Sequence, residues 1–297
     1  MAKYVIEDTT LTNIANAIRE KTGKTDTITP ANFDTEIAGI QSGGGDTTQE
    51  DGLVERTLTE YSNDRVTSVG NYVFYYNTNL SSITLLNVTK IGIYTFYYCS
   101  NLQTINIPKT NRIESNAFEK CSSLKEINLP ELTNLGNYSF SECVKLTTVN
   151  LPKATVIGKS AFYACSELTT LDFPNVTSIG NYAFQYCRKL VEINIPNVTS
   201  IETTAFSNTG LTTLDLPKIS NIVSNCFSYA TKLEKLILRS ETICSLENTN
   251  AFYSTPIASG TGYIYVPDNL KETYQNSTNW STYADQIKPI SELEGNQ

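Results

Sequence analysis

Histidine is absent from all 297 residues, and methionine and tryptophan occur once each. Without imidazole the chain lacks the commonest general base near neutral pH and the commonest metal ligand. Carboxylate chemistry stays open, but no metal and no cofactor is expected. Basic residues are outnumbered: 22 Lys and Arg stand against 30 Asp and Glu, for a formal net charge of -8. They form no cluster of the kind that binds a phosphate backbone, so nucleic acid is not an expected partner. No apolar run reaches eighteen residues, which argues against membrane insertion. The opening MAKYVIEDTT has no apolar h-region and no cleavage-like site, so a standard signal peptide is not expected. Release by lysis, or as part of a particle, stays open beside export.

What is present is a repeat. Phe recurs at Phe74, Phe96, Phe118, Phe140, Phe162, Phe184 and Phe206 in steps of 22, then at Phe227 and Phe252. Six residues after the early copies stand Leu80, Leu102, Leu124, Leu146, Leu168 and Leu190. Each opens a stretch such as LKEINLP, whose pattern L-x-x-I-x-L sets two apolar residues on one face of a strand. A further apolar residue, such as Ile91 or Ile157, lies five before most of the Phe. One copy alone cannot bury its apolar face, but stacked copies can. The fold expected is an α/β solenoid, a right-handed leucine-rich-repeat coil of short parallel strands in about nine 22-residue repeats. Each coil should hold a strand, a turn marked by Pro, a second extended segment, and a tight helical or 3₁₀ turn carrying the Phe.

Five of the seven Cys share one position, three after the Phe: Cys99, Cys121, Cys143, Cys165 and Cys187. A straight ladder of thiols does not converge on a metal. It reads as small buried side chains stacked in the core, with disulfides between neighbours as the alternative.

The repeat is expected over residues 56–267, with TGYIYVP at 261–267 as its final strand. Residues 268–297 should cap the open end, packing through Leu270, Tyr274, Trp280 and Tyr283, because a bare strand edge invites growth by another chain. Residues 1–40 lie outside the repeat. Leu11, Ile14, Ala15 and Ile18 share one helical face, and Phe33, Ile37 and Ile40 a second, after Pro30. A Gly-rich linker and lead-in, 41–55, follows this small two-helix module. So short a module invites docking or self-association.

The copy LTTLDFPNVTSIGNYAFQYCRKL, from Leu168 to Leu190, resembles the BspA-like, or Treponema pallidum-type, leucine-rich-repeat family. That resemblance covers roughly residues 60–267. It implies a bacterial surface or secreted protein that binds other proteins or glycans without catalysis. Residues 11–40 resemble a module at the start of phage and prophage tail-associated proteins, which implies assembly in the cytoplasm and release with a particle.

Two surfaces are candidates for the contact. On the strands, Thr84, Asn106, Asn128, Asn150, Asp172, Asn194 and Asp215 form an outward column of amides, hydroxyls and carboxylates suited to repeated hydrogen bonds. The same column also serves simply to solvate a sheet. Near the Phe turns, Tyr72, Tyr75, Tyr76, Tyr94, Tyr97 and Tyr98 crowd the first two coils, and tyrosine gives rigid amphipathic contact area. An enzyme is not expected. Asp172 and Asp215 stand two coils apart, roughly 10 Å, on an open face, whereas a glycosidase pair needs about 5–9.5 Å and a cleft. The reading is therefore a non-catalytic, adhesin-like scaffold for an extracellular or cell-surface protein or glycan. The alternative is a prophage tail or baseplate component recognising the bacterial host surface.

Overall fold

The structure is a computed structural model that describes residues 58–294. The expected helical module at 1–40 and the linker at 41–55 lie outside the described residues.

Each coil contributes two very short strands to two parallel stacks. In the first stack, Glu60–Ser62, Ser82–Thr84 and Thr104–Asn106 pair in parallel, offset by one repeat, so that Ile83 sits beside Ile105. The stack continues through Glu126–Asn128, Thr148–Asn150, Thr170–Asp172, Glu192–Asn194, Thr213–Asp215 and Lys235–Ile237. Its hydrogen-bonded ladder is interrupted after Asn106, Asn150 and Asn194. In the second stack, seven two-residue strands from Ser68–Val69 to Ser200–Ile201 form one unbroken sheet. Parallel strands put like residues beside like, so a 22-residue period becomes columns of identical environment. Glycine follows several second-stack strands because backbones meet there. A Cβ on Gly136 would lie 2.6 Å from the Glu114 carbonyl carbon.

The core runs between the stacks. The nine Phe form one file, with successive centroids 4.9–6.1 Å apart and ring planes within 3–19°. All nine are buried, as are the repeating Leu. Beside them the thiols form a second file. All seven Cys are buried thiols. Cys121, Cys143, Cys165 and Cys187 each point Sγ at the Phe carbonyl 25 residues earlier, at 3.1–3.2 Å. The stacked-thiol reading holds, and no disulfide forms. In the first coil Asn77 takes the Cys position, buried, with neither amide atom hydrogen-bonded.

The Phe turn departs from expectation. Only Phe252 lies in a 3₁₀ turn, Thr249–Phe252. In coils one to eight the residues two before and two after each Phe hold left-handed backbone, for example Tyr94 (φ 54°) and Tyr98 (φ 59°) around Phe96. The amides of Tyr94, Phe96 and Tyr98 all donate to the next coil, to the carbonyls of Ser115, Ala117 and Glu119 at 2.7–3.2 Å. A helical turn would spend these amides within its own coil. The left-handed residues instead help make a third ladder between coils.

The C-terminal end is covered by two helical segments and one further strand. Tyr263–Val266 joins the first stack, but Ile287–Pro289 pairs beyond it, Ile264 beside Ile287, and is the last strand. Between them Lys271–Asn276 and Trp280–Gln286 fold over the ninth coil. The Tyr274 hydroxyl accepts the Cys244 amide at 2.7 Å, and Trp280 Nε1 donates to the Cys244 carbonyl at 2.7 Å. Asn279 Nδ2 bonds the carbonyls of Leu246 and Glu247. Polar groups that the next coil would have satisfied are thus taken by side chains, as a buried end requires.

Candidate binding surface

The first-stack column is in register but not uniformly free. Asn106, Asn128, Asn150, Asp172 and Asn194 are exposed, while Thr84 and Asp215 are half-buried. The amides then spend bonding capacity on one another. Asn150 Nδ2 donates to Asn128 Oδ1, and Asn194 Nδ2 to Asp172 Oδ1, both at 2.8 Å. Asp215 is held by Arg239 at 2.8 Å. Such pairing is the sheet's own solvation and cross-strand support, and Asn106 is left as the least engaged amide. Asp172 and Asp215 are separated by Asn194, whose strand lies between theirs, and Asp215 carries its ion pair, so the column assembles no acid–base couple.

The tyrosines behave differently. All six are brought together, half-buried or exposed, in two tiers of three rings. Along the stack, Tyr72 faces Tyr94 at 5.4 Å, Tyr75 faces Tyr97 at 5.2 Å and Tyr76 faces Tyr98 at 4.7 Å, all within 13° of parallel. Across each tier the rings meet edge to face or tilted, as in Tyr72–Tyr75 at 5.7 Å and Tyr94–Tyr97 at 5.3 Å. Offset and edge-to-face pairs are worth roughly 0.5–1.5 kcal/mol each beyond their buried area. The result is a herringbone patch of half-buried rings, with Tyr98 exposed.

Backbone conformation makes the patch informative. Tyr72, Tyr76, Tyr94 and Tyr98 all have φ between 54° and 64°. Left-handed backbone costs an L-residue roughly 1–2 kcal/mol, and bulky side chains are rare there. Other coils fill the same places with Asn116, Lys120, Ser160, Ala164 and Asn208 as well as with Tyr138, Tyr182, Tyr186 and Tyr229. The turn therefore does not need tyrosine.

Three residues of the third coil complete the patch and escape a search by residue type: Asn116, Glu119 and Lys120. They occupy the positions that Tyr94, Tyr97 and Tyr98 hold one coil earlier, so following columns rather than tyrosines would have found them. Lys120 Nζ lies 5.7 Å from the Tyr97 ring centre and 3.8 Å from the Glu142 carboxylate. Burial holds the Glu119 carboxyl above its ordinary value, with Glu142 adding to the effect; the Asn116 bond and Lys120 oppose it. Burial also raises the phenols of Tyr72, Tyr75, Tyr94 and Tyr97. The patch thus offers neutral hydroxyls beside one carboxyl and one ammonium, with no nucleophile near a base.

Parallel strand files, a Phe file and a polar outer column define a leucine-rich-repeat solenoid. The profile of the BspA type leucine rich repeat region matches in six copies, over residues 57–169 and 155–283, and the chain belongs to that family. Among solved structures it is similar to a leucine-rich repeat protein from Bacteroides ovatus. Identity is 24% over 68% of this chain and 59% of that one, with a TM-score of 0.53. It is also similar to the leucine rich repeat protein of T. pallidum, at 29% identity over 51% of this chain and 77% of that one, TM-score 0.49. A leucine rich cell surface protein from Faecalibacterium prausnitzii is 27% identical over 70% of this chain and 60% of that one, TM-score 0.49. The chain thus spans only 59% of the length of the Bacteroides protein. No curated protein matches it. No helix among the described residues is long and apolar enough to cross a membrane.

Proposed function

We propose that the chain is a non-catalytic binding scaffold, adhesin-like in action, that meets an extracellular or cell-surface protein or glycan through the tyrosine patch of its first two coils. One observation carries this reading: six rings form a stacked, half-exposed cluster at positions where the fold also accepts Asn, Ser or Ala and where four of the rings sit in strained backbone. Rigid amphipathic rings give contact area at little entropic cost on binding. The strand column, with Asn106 and its neighbours, is a secondary contact, because its amides are partly committed to each other. Family membership supports the non-catalytic part.

The test uses the labelled chain, presented multivalently to bacterial cells, host matrix and mucin. The comparison variant is Tyr75→Ser with Tyr97→Ser, because Ser141 fills that column in the fourth coil. Loss of at least about tenfold in binding is expected, as for removal of two aromatic hot spots. Undiminished binding would remove the patch from the contact. The tail-component alternative rests on residues 1–40. Binding restricted to a narrow set of bacteria would favour it, and binding to matrix or mucin would favour the adhesin.

A further inference from the structure

We propose that the fourth to sixth coils carry a second site on the Phe-turn face, built for an acidic polysaccharide. Its parts are Tyr138, Lys159, Tyr163, Tyr182, Tyr186 and Arg188. They lie on adjoining rungs: the Tyr138 amide donates to the Lys159 carbonyl at 2.7 Å, and the Ser160 amide to the Asn181 carbonyl at 2.8 Å. Lys159 Nζ stands 5.5 Å from the centre of the Tyr138 ring, and the Arg188 guanidinium carbon 5.7 Å from that of Tyr186. Tyr163 meets Tyr186 edge to face at 5.5 Å. Unlike the first-coil rings, these are spread out, and Tyr182 is 37% exposed with no ring partner among the described residues.

The charge balance here opposes that of the whole chain. Among the described residues, exposed Lys159, Arg188 and nearby Lys145 have no carboxylate within 4.0 Å. The acids of the same face, Glu142 and Glu167, already hold Lys120 at 3.8 Å and Lys189 at 2.7 Å. Unpaired cations thus face outward on a protein of net charge -8. Arg and Lys held against rings are pre-oriented to meet a carboxylate. An open tyrosine face suits the apolar C–H face of a sugar ring.

The test is binding of the full chain to polygalacturonate, with neutral dextran, poly-L-glutamate and polyuridylate as comparisons. Polygalacturonate should bind and weaken severalfold between roughly 50 and 200 mM salt. Lys159→Gln with Arg188→Gln should lose about tenfold, the scale of two solvent-exposed ion pairs at up to about 1 kcal/mol each. Tyr182→Asn, which tolerates the left-handed backbone, should lose severalfold. Unaltered far-ultraviolet dichroism and dichroism-monitored melting would certify the fold of each variant. The proposal is overturned by absent polygalacturonate binding, by equal binding of dextran, by tighter binding of poly-L-glutamate or polyuridylate, or by indifference to the double substitution.

Discussion

Replacing Tyr274 with Phe removes one oxygen and nothing else from the C-terminal cap. The ring is fully buried and its hydroxyl accepts the Cys244 amide at 2.7 Å. Without that oxygen the amide is buried beside a hydrocarbon edge and keeps no partner. An orphaned buried donor costs about 1–3 kcal/mol, more than the net worth of an ordinary hydrogen bond. Ring packing is retained, including the edge-to-face contact with Trp280 at 5.3 Å. A loss near 2 kcal/mol at a urea slope of about 2–3 kcal/mol/M moves a midpoint by about 0.7–1 M. Trp280 is the sole tryptophan, so its emission reports the cap while far-ultraviolet dichroism reports the whole rod. Coils touch only their neighbours, so the fluorescence midpoint should fall further than the dichroism midpoint. A fluorescence shift below about 0.2 M would refute the reasoning, showing that something else satisfies the amide.

Alkali should loosen the same cap. Burial pushes the Tyr274 phenol up to about 12, and burial likewise pushes the Cys244 thiol up to about 12. Both folded values lie above the unfolded ones, so their stabilisation is complete below about pH 9 and is lost as pH rises towards 12. Trp280-monitored stability should be flat to pH 9 and fall beyond it; a flat profile to pH 12 would contradict the assignment. In the native state the seven buried thiols should resist a disulfide reagent, with labelling appearing only as denaturant opens the coils. Fast labelling of any one would place it at the surface. Ala164→Gly at φ 55° should stabilise the chain by about 0.5–1 kcal/mol: relief of roughly 1–2 kcal/mol is offset by about 0.5–1 kcal/mol of glycine entropy. A lowered melting temperature would count against strain at that turn.

The core was legible because it depends on identity at fixed spacing. Phe118, Cys121, Leu124 and Ile127 each recur at 22, and each is buried. Backbone handedness was not, because the left-handed places hold Tyr, Lys, Ser and Thr rather than a run of glycine, and only the interchain of amides between coils reveals why. The last strand was missed for a related reason. Ile287, Lys288 and Pro289 show no alternation, and they pair only because Tyr263–Val266 presents them an edge. For the surface, the tyrosine cluster follows directly from two adjacent coils sharing three columns. The self-pairing of Asn128 with Asn150 does not, since it turns on which way two amides point.

The bonds between coils span nearly constant intervals: 21 residues in the Phe-turn ladder, 22 between strands and 25 in the thiol file. Excising one block of 22 residues between Phe74 and Phe206 therefore rejoins every ladder with its register intact, and duplicating one does the same. Recombination between such similar stretches of coding sequence would lengthen or shorten the rod in whole steps while the C-terminal cap stays as it is. Reach is then heritable independently of what the rod grips, and a population of otherwise identical cells could sample several lengths without ever passing through a misfolded form.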